Sequence, residues 1–281
     1  MTLRRAVAIA VLAACTHAAS AGPIVYSAAG TSAGDIAAAV NAFRSALGTL
    51  NPNVAGSFAG GRREINWDGV PGAFAAPNNL PANFFNVNSP RGVIFATPGT
   101  GFQVSASVDG FVPIQFGNID PAYPSFFEPF SPQRLFTSLG SNITDVNFLV
   151  PGSSTPAFTS AFGVVFSDVD LAVSTSLEFF DLTGASLGTF LAPAIVNQET
   201  FSFLGVQFTA EQVGRVRVTS GTSLLAAGNS RDDLVAMDDF IYAEPRAVQT
   251  VSLPGTLTLL AIGLLAFTCR PARRLVRGVS E

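Results

Sequence analysis

The chain has 281 residues, 48% of them hydrophobic and 12% charged, with a formal net charge of −4. It contains no lysine, one histidine (His17) and two cysteines (Cys15 and Cys269). Residues 22–250 therefore hold neither His nor Cys, which excludes disulfides, His/Cys zinc sites, His-ligated haem and Ser-His-Asp or Cys-His nucleophiles from that stretch. Carboxylates, arginine, tyrosine, one tryptophan and hydroxyls remain for chemistry. The same stretch carries nine arginines against eighteen acidic residues, a balance of −9. Nucleic acid and anionic lipid are excluded as partners on that charge. Twenty-five phenylalanines, with Val, Thr, Gly and Pro, make a β-sandwich composition rather than a helical one.

At the N-terminus, Arg4 and Arg5 precede an apolar run at 6–14 that is too short to span a bilayer. Ala19-Ser20-Ala21 is a small-x-small cleavage site. The pattern predicts a signal peptide over 1–21, cut by signal peptidase. Leu12-Ala13-Ala14-Cys15 resembles a bacterial lipobox, and the alternative product is a chain lipidated at Cys15. Residues 31–47 form the one soluble helix: Ser32 with Asp35 is a capping box, and Ile36, Val40, Phe43 and Leu47 make an apolar stripe that needs a partner surface.

Next comes the most site-like stretch, 60–71. As a strand it puts Glu64, Asn66 and Asp68 on one face, and Arg63, Ile65 and Trp67 on the other. A sugar ring stacked on Trp67 and bonded to Glu64, Asn66 or Asp68 is the functional expectation. The alternative is a Trp67 in the core with a solvated polar face. Residues 75–88 are an Asn/Pro-rich loop with Phe84 and Phe85 tucked inward. Short strands follow at 91–97, 101–108 and 111–116, then an irregular excursion at 120–133 with four prolines and four aromatics.

Later strands are predicted at 145–150, 158–170, 175–181, 186–191, 201–208, 214–220 and 234–242, with a turn at Gly184. Strands at this spacing without helices between them predict an antiparallel sandwich. The stretches 201–206, 215–218 and 236–240 resemble jelly-roll, galactose-binding-like domains, and that resemblance implies sugar or calcium binding in some members. Asp168 and Asp170 are two apart and share a strand face. Asp238 and Asp239 are adjacent, so on a regular strand only one can point at a given site. These four, with Asp232 and Asp233 nearby, are the calcium candidates, since calcium takes about 6–8 oxygen ligands. The metal-free alternative is acidic strand ends facing water or neutralised by Arg215, Arg217 or Arg231.

Residues 251–269 carry no charge and are followed by Arg270, Arg273, Arg274 and Arg277. At 1.5 Å per residue this run covers about 28 Å, close to the thickness of a hydrocarbon core. The expectation is a transmembrane helix with its arginines cytoplasmic. Leu253-Pro254-Gly255-Thr256, the Leu/Ala/Gly run and the closing arginines resemble the PEP-CTERM sorting domain of exported Gram-negative proteins, with Ser252-Leu253-Pro254 where Pro-Glu-Pro is usual. The resemblance implies processing by an exosortase-type membrane enzyme. Leu253 to Thr256 is also similar to the sortase LPxTG signal, with Leu257 in place of its glycine.

The organisation expected is a signal peptide at 1–21, a β-sandwich at 22–246, a linker at 247–250 and the tail at 251–281. The fold class expected is mainly β: an antiparallel, jelly-roll-like sandwich with one N-terminal amphipathic helix and a C-terminal transmembrane helix. The leading function is a non-enzymatic exported envelope or matrix protein associated with exopolysaccharide. The alternative is a polysaccharide hydrolase or lyase using a carboxylate pair such as Glu64 with Asp68.

Overall fold

The computed structural model describes residues 22–108, 110–229 and 232–247. The predicted signal peptide with Cys15, the sorting motif Leu253, Pro254, Gly255 and Thr256, and the apolar run lie outside the described residues. In chain order the elements are β1 (Ile24–Gly30), α1 (Ala33–Leu47), β2 (Arg62–Ile65), α2 (Phe84–Val87), β3 (Val93–Ala96), β4 (Gly101–Val104) and β5 (Phe136–Leu139). There follow β6 (Ile143–Phe148), β7 (Ala157–Phe158), β8 (Ala161–Ser167), β9 (Ser176–Phe180), β10 (Ser186–Leu191), β11 (Phe201–Gln207), β12 (Arg215–Thr219), β13 (Ala236–Ala243) and β14 (Arg246–Ala247).

Alternation along the strands decides the layers. One sheet runs β1-β11-β8-β13-β5-β4, with β2 also paired to β13; the second runs β10-β9-β12-β6-β3. All these pairings are antiparallel. In the second sheet Val146 and Phe148, Leu177 and Phe179, and Val216 and Val218 point into the main core. Their neighbours point out, where Asp145 holds Arg215 and Arg217 across the strands. That is the one-face-wet pattern of an antiparallel sheet.

The central strands of the first sheet, β11, β8 and β13, are buried on both faces. Phe162, Val164 and Phe166 of β8 face the main core, whereas Ala161 and Val165 face α1. Strands β11 and β13 divide in the same way, with Phe203 and Ile241 under the helix. Continuous apolar runs in these strands therefore follow from the helix lying over the outer face. The α1 stripe Ile36, Val40, Phe43 and Leu47 is buried as the spacing predicts. Ser32 donates from its N–H and its hydroxyl to Asp35, closing the helix N-terminus.

The predicted fold class is corrected in its helices. Two α-helices are present among the described residues, α1 and the four-residue α2, where one was expected. No helix among them is long and apolar enough to cross a membrane, and the run expected to do so lies outside them. The sheets correspond to the expected antiparallel sandwich. Residues 111–116 are not a strand; Ile114 makes only an isolated bridge to Ala106. Strands β1 and β5 were not expected.

Candidate functional site

Strand β2 carries the candidate stretch to the side of β13, with Glu64 opposite Ile241 and Ile65 opposite Phe240. It ends at Ile65, so Asn66, Trp67 and Asp68 are not a continuation of its face. Trp67 has φ of +65°, a left-handed conformation that turns the chain. Its ring swings into the main core, 1% exposed. It stacks on Phe136 at 4.1 Å and meets Phe85 and Phe240 edge-on at 5.4 and 5.1 Å. Its Nε1–H donates to the Asp238 carbonyl at 2.8 Å. The expected sugar platform is corrected: Trp67 is a core residue with its polar edge satisfied.

The polar residues of the stretch separate. Asp68 accepts the backbone N–H groups of Gln133 and Arg134 at 2.6 and 3.1 Å. Burial still leaves its pKa above the ordinary carboxylate value despite those bonds. Glu64 points to the helix side, where Arg44 from the last turn of α1 grips both its oxygens at 3.0 and 2.9 Å. Arg62 adds a third bond at 2.6 Å. Burial raises the Glu64 pKa, but the two guanidiniums outweigh it and hold the group below its usual value. Asn66 alone is exposed.

Arg44 also reaches Asp239 at 2.7 Å. Asp238 and Asp239 are adjacent, yet both contact the same hydroxyl. A bulge between Met237 and Phe240 adds one residue on β13 against β8 and breaks the alternation. Ser131 Oγ lies 3.1 Å from Asp238 Oδ1 and 2.8 Å from Asp239 Oδ1. The N–H groups of Phe130 and Ser131 donate to the other Asp238 oxygen. Burial first, and the neighbouring Asp239 second, push Asp238 well above the usual range. Asp239 is raised by burial too, with Ser131 and Arg44 opposing. The pair is thus bound into the fold by one serine, one arginine and two backbone amides.

The other calcium candidates lie elsewhere. Asp168 follows β8 with φ of +72° and is buried, with Oδ1 lacking any hydrogen-bond partner. Asp233 is buried likewise, and its Oδ2 is also unpartnered. Its Oδ1 accepts the Asp170 N–H at 2.9 Å, which ties the two loops together. Burial, then the charges of Asp170, Asp233 and Glu199, push Asp168 up to about 8. No group of three or more His, Cys, Asp or Glu side chains suited to a metal ion occurs among the described residues. Of the six aspartates weighed as calcium candidates, Asp168, Asp170 and Asp233 lie together, and Asp238 with Asp239 lies apart in the Arg44–Ser131 cluster.

Two cavities flank Asn66 and Arg91. One, of about 350 Å³, is walled by Val70, Pro71, Phe74, Phe84 and Phe85. The other, also about 350 Å³, is lined by Arg44, Glu64, Asp239, Ser131, Asn51 and Asn53. Asn66 and Arg91 line both. Sequence reasoning missed Arg91, which sits as a lone cation beside a proline. It also missed Arg63, wholly buried and paired with Glu244 through two bonds of 2.8 Å. A charged residue on the apolar face of β2 was the available signal.

No known protein family matches the chain, and no curated protein matches it. Among solved structures, the enzymatically active domain of tailspike protein 4 from bacteriophage CBA120 is similar at 13% identity and a TM-score of 0.27. The match covers 58% of this chain and 20% of that chain, so this chain spans about a fifth of the length it matches. At that level the likeness carries neither fold nor function across.

Proposed function

We propose that this chain is a non-enzymatic, exported protein of the envelope or extracellular matrix that associates with polysaccharide. The observation that carries the proposal is the commitment of the carboxylates. Glycoside hydrolysis needs one carboxyl free to donate a proton and a second free to attack or to activate water, about 5–9.5 Å apart. Glu64 is held by two arginines and Asp68 by two backbone amides. Trp67 is in the core rather than at a surface. Export is supported by the leader-like and PEP-CTERM-like ends of the sequence, with signal peptidase and an exosortase-type enzyme as the processing partners.

One observation favours a second reading, a polysaccharide hydrolase or lyase. Glu64 and Asp239 line the same cavity, and their pKa values are pushed in opposite directions. Such divergence marks acid and base assignments in known enzymes. Arg44 bridges the two, and Asp239 is buried, which argues for a structural triad.

Incubating the full chain with a panel of polysaccharides tests both readings. Pull-down on insoluble glycan with no new reducing ends or unsaturated products is the expected result. Product release that disappears in Glu64→Gln and in Asp239→Asn replaces the scaffold reading with the enzymatic one.

A further inference from the structure

We propose that Arg91 binds a carboxylate of an acidic polysaccharide, a uronate-type sugar lying across the two cavities that share this residue. The proposal rests on the polysaccharide reading above and names its ligand class. Arg44, Arg62, Arg63, Arg215, Arg217 and Arg246 each pair with a carboxylate. Arg91 has no carboxylate partner among the described residues. Its Nη1 donates to Ser89 Oγ at 2.6 Å, and its guanidinium lies 5.0 Å from the Phe85 ring centroid. Its Nε is buried with no acceptor.

Burial lowers the Arg91 pKa, but a guanidinium stays charged at any physiological pH. A partly buried cation without a counter-charge is costly, and a ligand carboxylate supplies that charge through a charge-assisted hydrogen bond. The ring on Phe85 already fixes the plane of the fork, so little freedom is lost on binding. The walls fit the rest of a sugar. The exposed Pro71 and half-buried Phe74 offer apolar atoms for C–H faces, and Asn51, Asn53 and Ser131 offer partners for hydroxyls. The −9 of the surrounding domain does not forbid an anion here. Screening confines exposed charges to about 8 Å in physiological salt. The charges nearest the groove are already paired, Arg44 with Glu64 and Asp239 and Arg63 with Glu244, so Arg91 is the cation left to meet the anion.

The test is calorimetric titration of the full chain with tetragalacturonate, its methyl ester and maltotetraose. Expected is binding of the acid at least about tenfold tighter than of either neutral ligand, as a charge-assisted bond gives. Arg91→Gln removes that preference. Asn66→Asp, at an exposed position between the cavities, weakens the acid without changing the melting temperature, which covers a failure of Arg91→Gln to fold. Equal binding of acid and ester, unmoved by both substitutions, overturns the Arg91 proposal and leaves polysaccharide association standing. Binding of none of the three ligands overturns both.

Discussion

The turn at Trp67 shows how one backbone angle scatters a candidate site. A strand continued past Ile65 would put its ring on the Arg63 side and leave Glu64, Asn66 and Asp68 together. The left-handed turn at Trp67 is not legible in the sequence, because the tryptophan is the residue that adopts it. Trp67→Ala should cost about 3–5 kcal/mol of folding stability, read from the urea midpoint at unchanged slope. A loss below 1 kcal/mol would return the ring to the surface. Asp168 makes a second prediction at this scale. Its carboxyl is raised to about 8 in the fold, against an ordinary 3.8 in the unfolded chain. The folded state thus holds a proton that the unfolded state releases. Its stability contribution is full below about pH 4, is lost as pH rises toward about 8, and is constant beyond. The melting temperature should fall between pH 5 and 8, and Asp168→Asn should flatten that fall. Calcium in the proton's place gives a different signature, a higher melting temperature in millimolar calcium than in chelator at pH 8. Identical temperatures in calcium and chelator would remove calcium from this acidic set.

At the scale of elements, the joint between α1 and the first sheet depends on two glycines. Gly163 and Gly205 face each other across β8 and β11, and Phe43 fills the slot above them. A Cβ on Gly205 would lie 2.9 Å from Phe203 Cζ and 3.0 Å from Phe43 Cγ, and one on Gly163 would lie 2.9 Å from Phe43 Cε1. Gly205→Ala should cost about 1–3 kcal/mol by overpacking. Phe43→Ala should cost more, and the double substitution less than the two together, because the new methyl then points into vacated space. Strict additivity in thermal unfolding would refute this joint. The helix stripe and the β6, β9 and β12 alternation were legible because one face of each is buried and the other wet. Strand β1 was not legible, since Ser27, Ala28, Ala29 and Gly30 supply no hydrophobic alternation at a sheet edge. The bulge in β13 was hidden for another reason. It is a mismatch between two strands, and Asp238-Asp239 carries no mark of it in one.

Across the whole sandwich, the Arg63–Glu244 pair joins the end of β13 to the chain between α1 and β2. Both side chains are buried, and the pair alone would be weak evidence for stability, since apolar replacements of buried ion pairs are often neutral or better. Here the outcome should differ. Arg63 also donates to the carbonyls of Pro52, Val54, Gly56 and Pro90, at 2.7 to 3.3 Å. Glu244 in turn accepts from Asn51 Nδ2 and the Phe58 N–H. Removing both charges strips the four carbonyls and the Phe58 N–H of these partners, and the segment at 52–58 loses its ties to β2 and to the end of β13. Arg63→Met alone should therefore cost about 3–5 kcal/mol. Arg63→Met with Glu244→Leu should recover little of that loss, and protease should cut between residues 50 and 58 in the double variant. A double variant as stable as the parent would show that the loop holds without the arginine, and that the pair serves only itself.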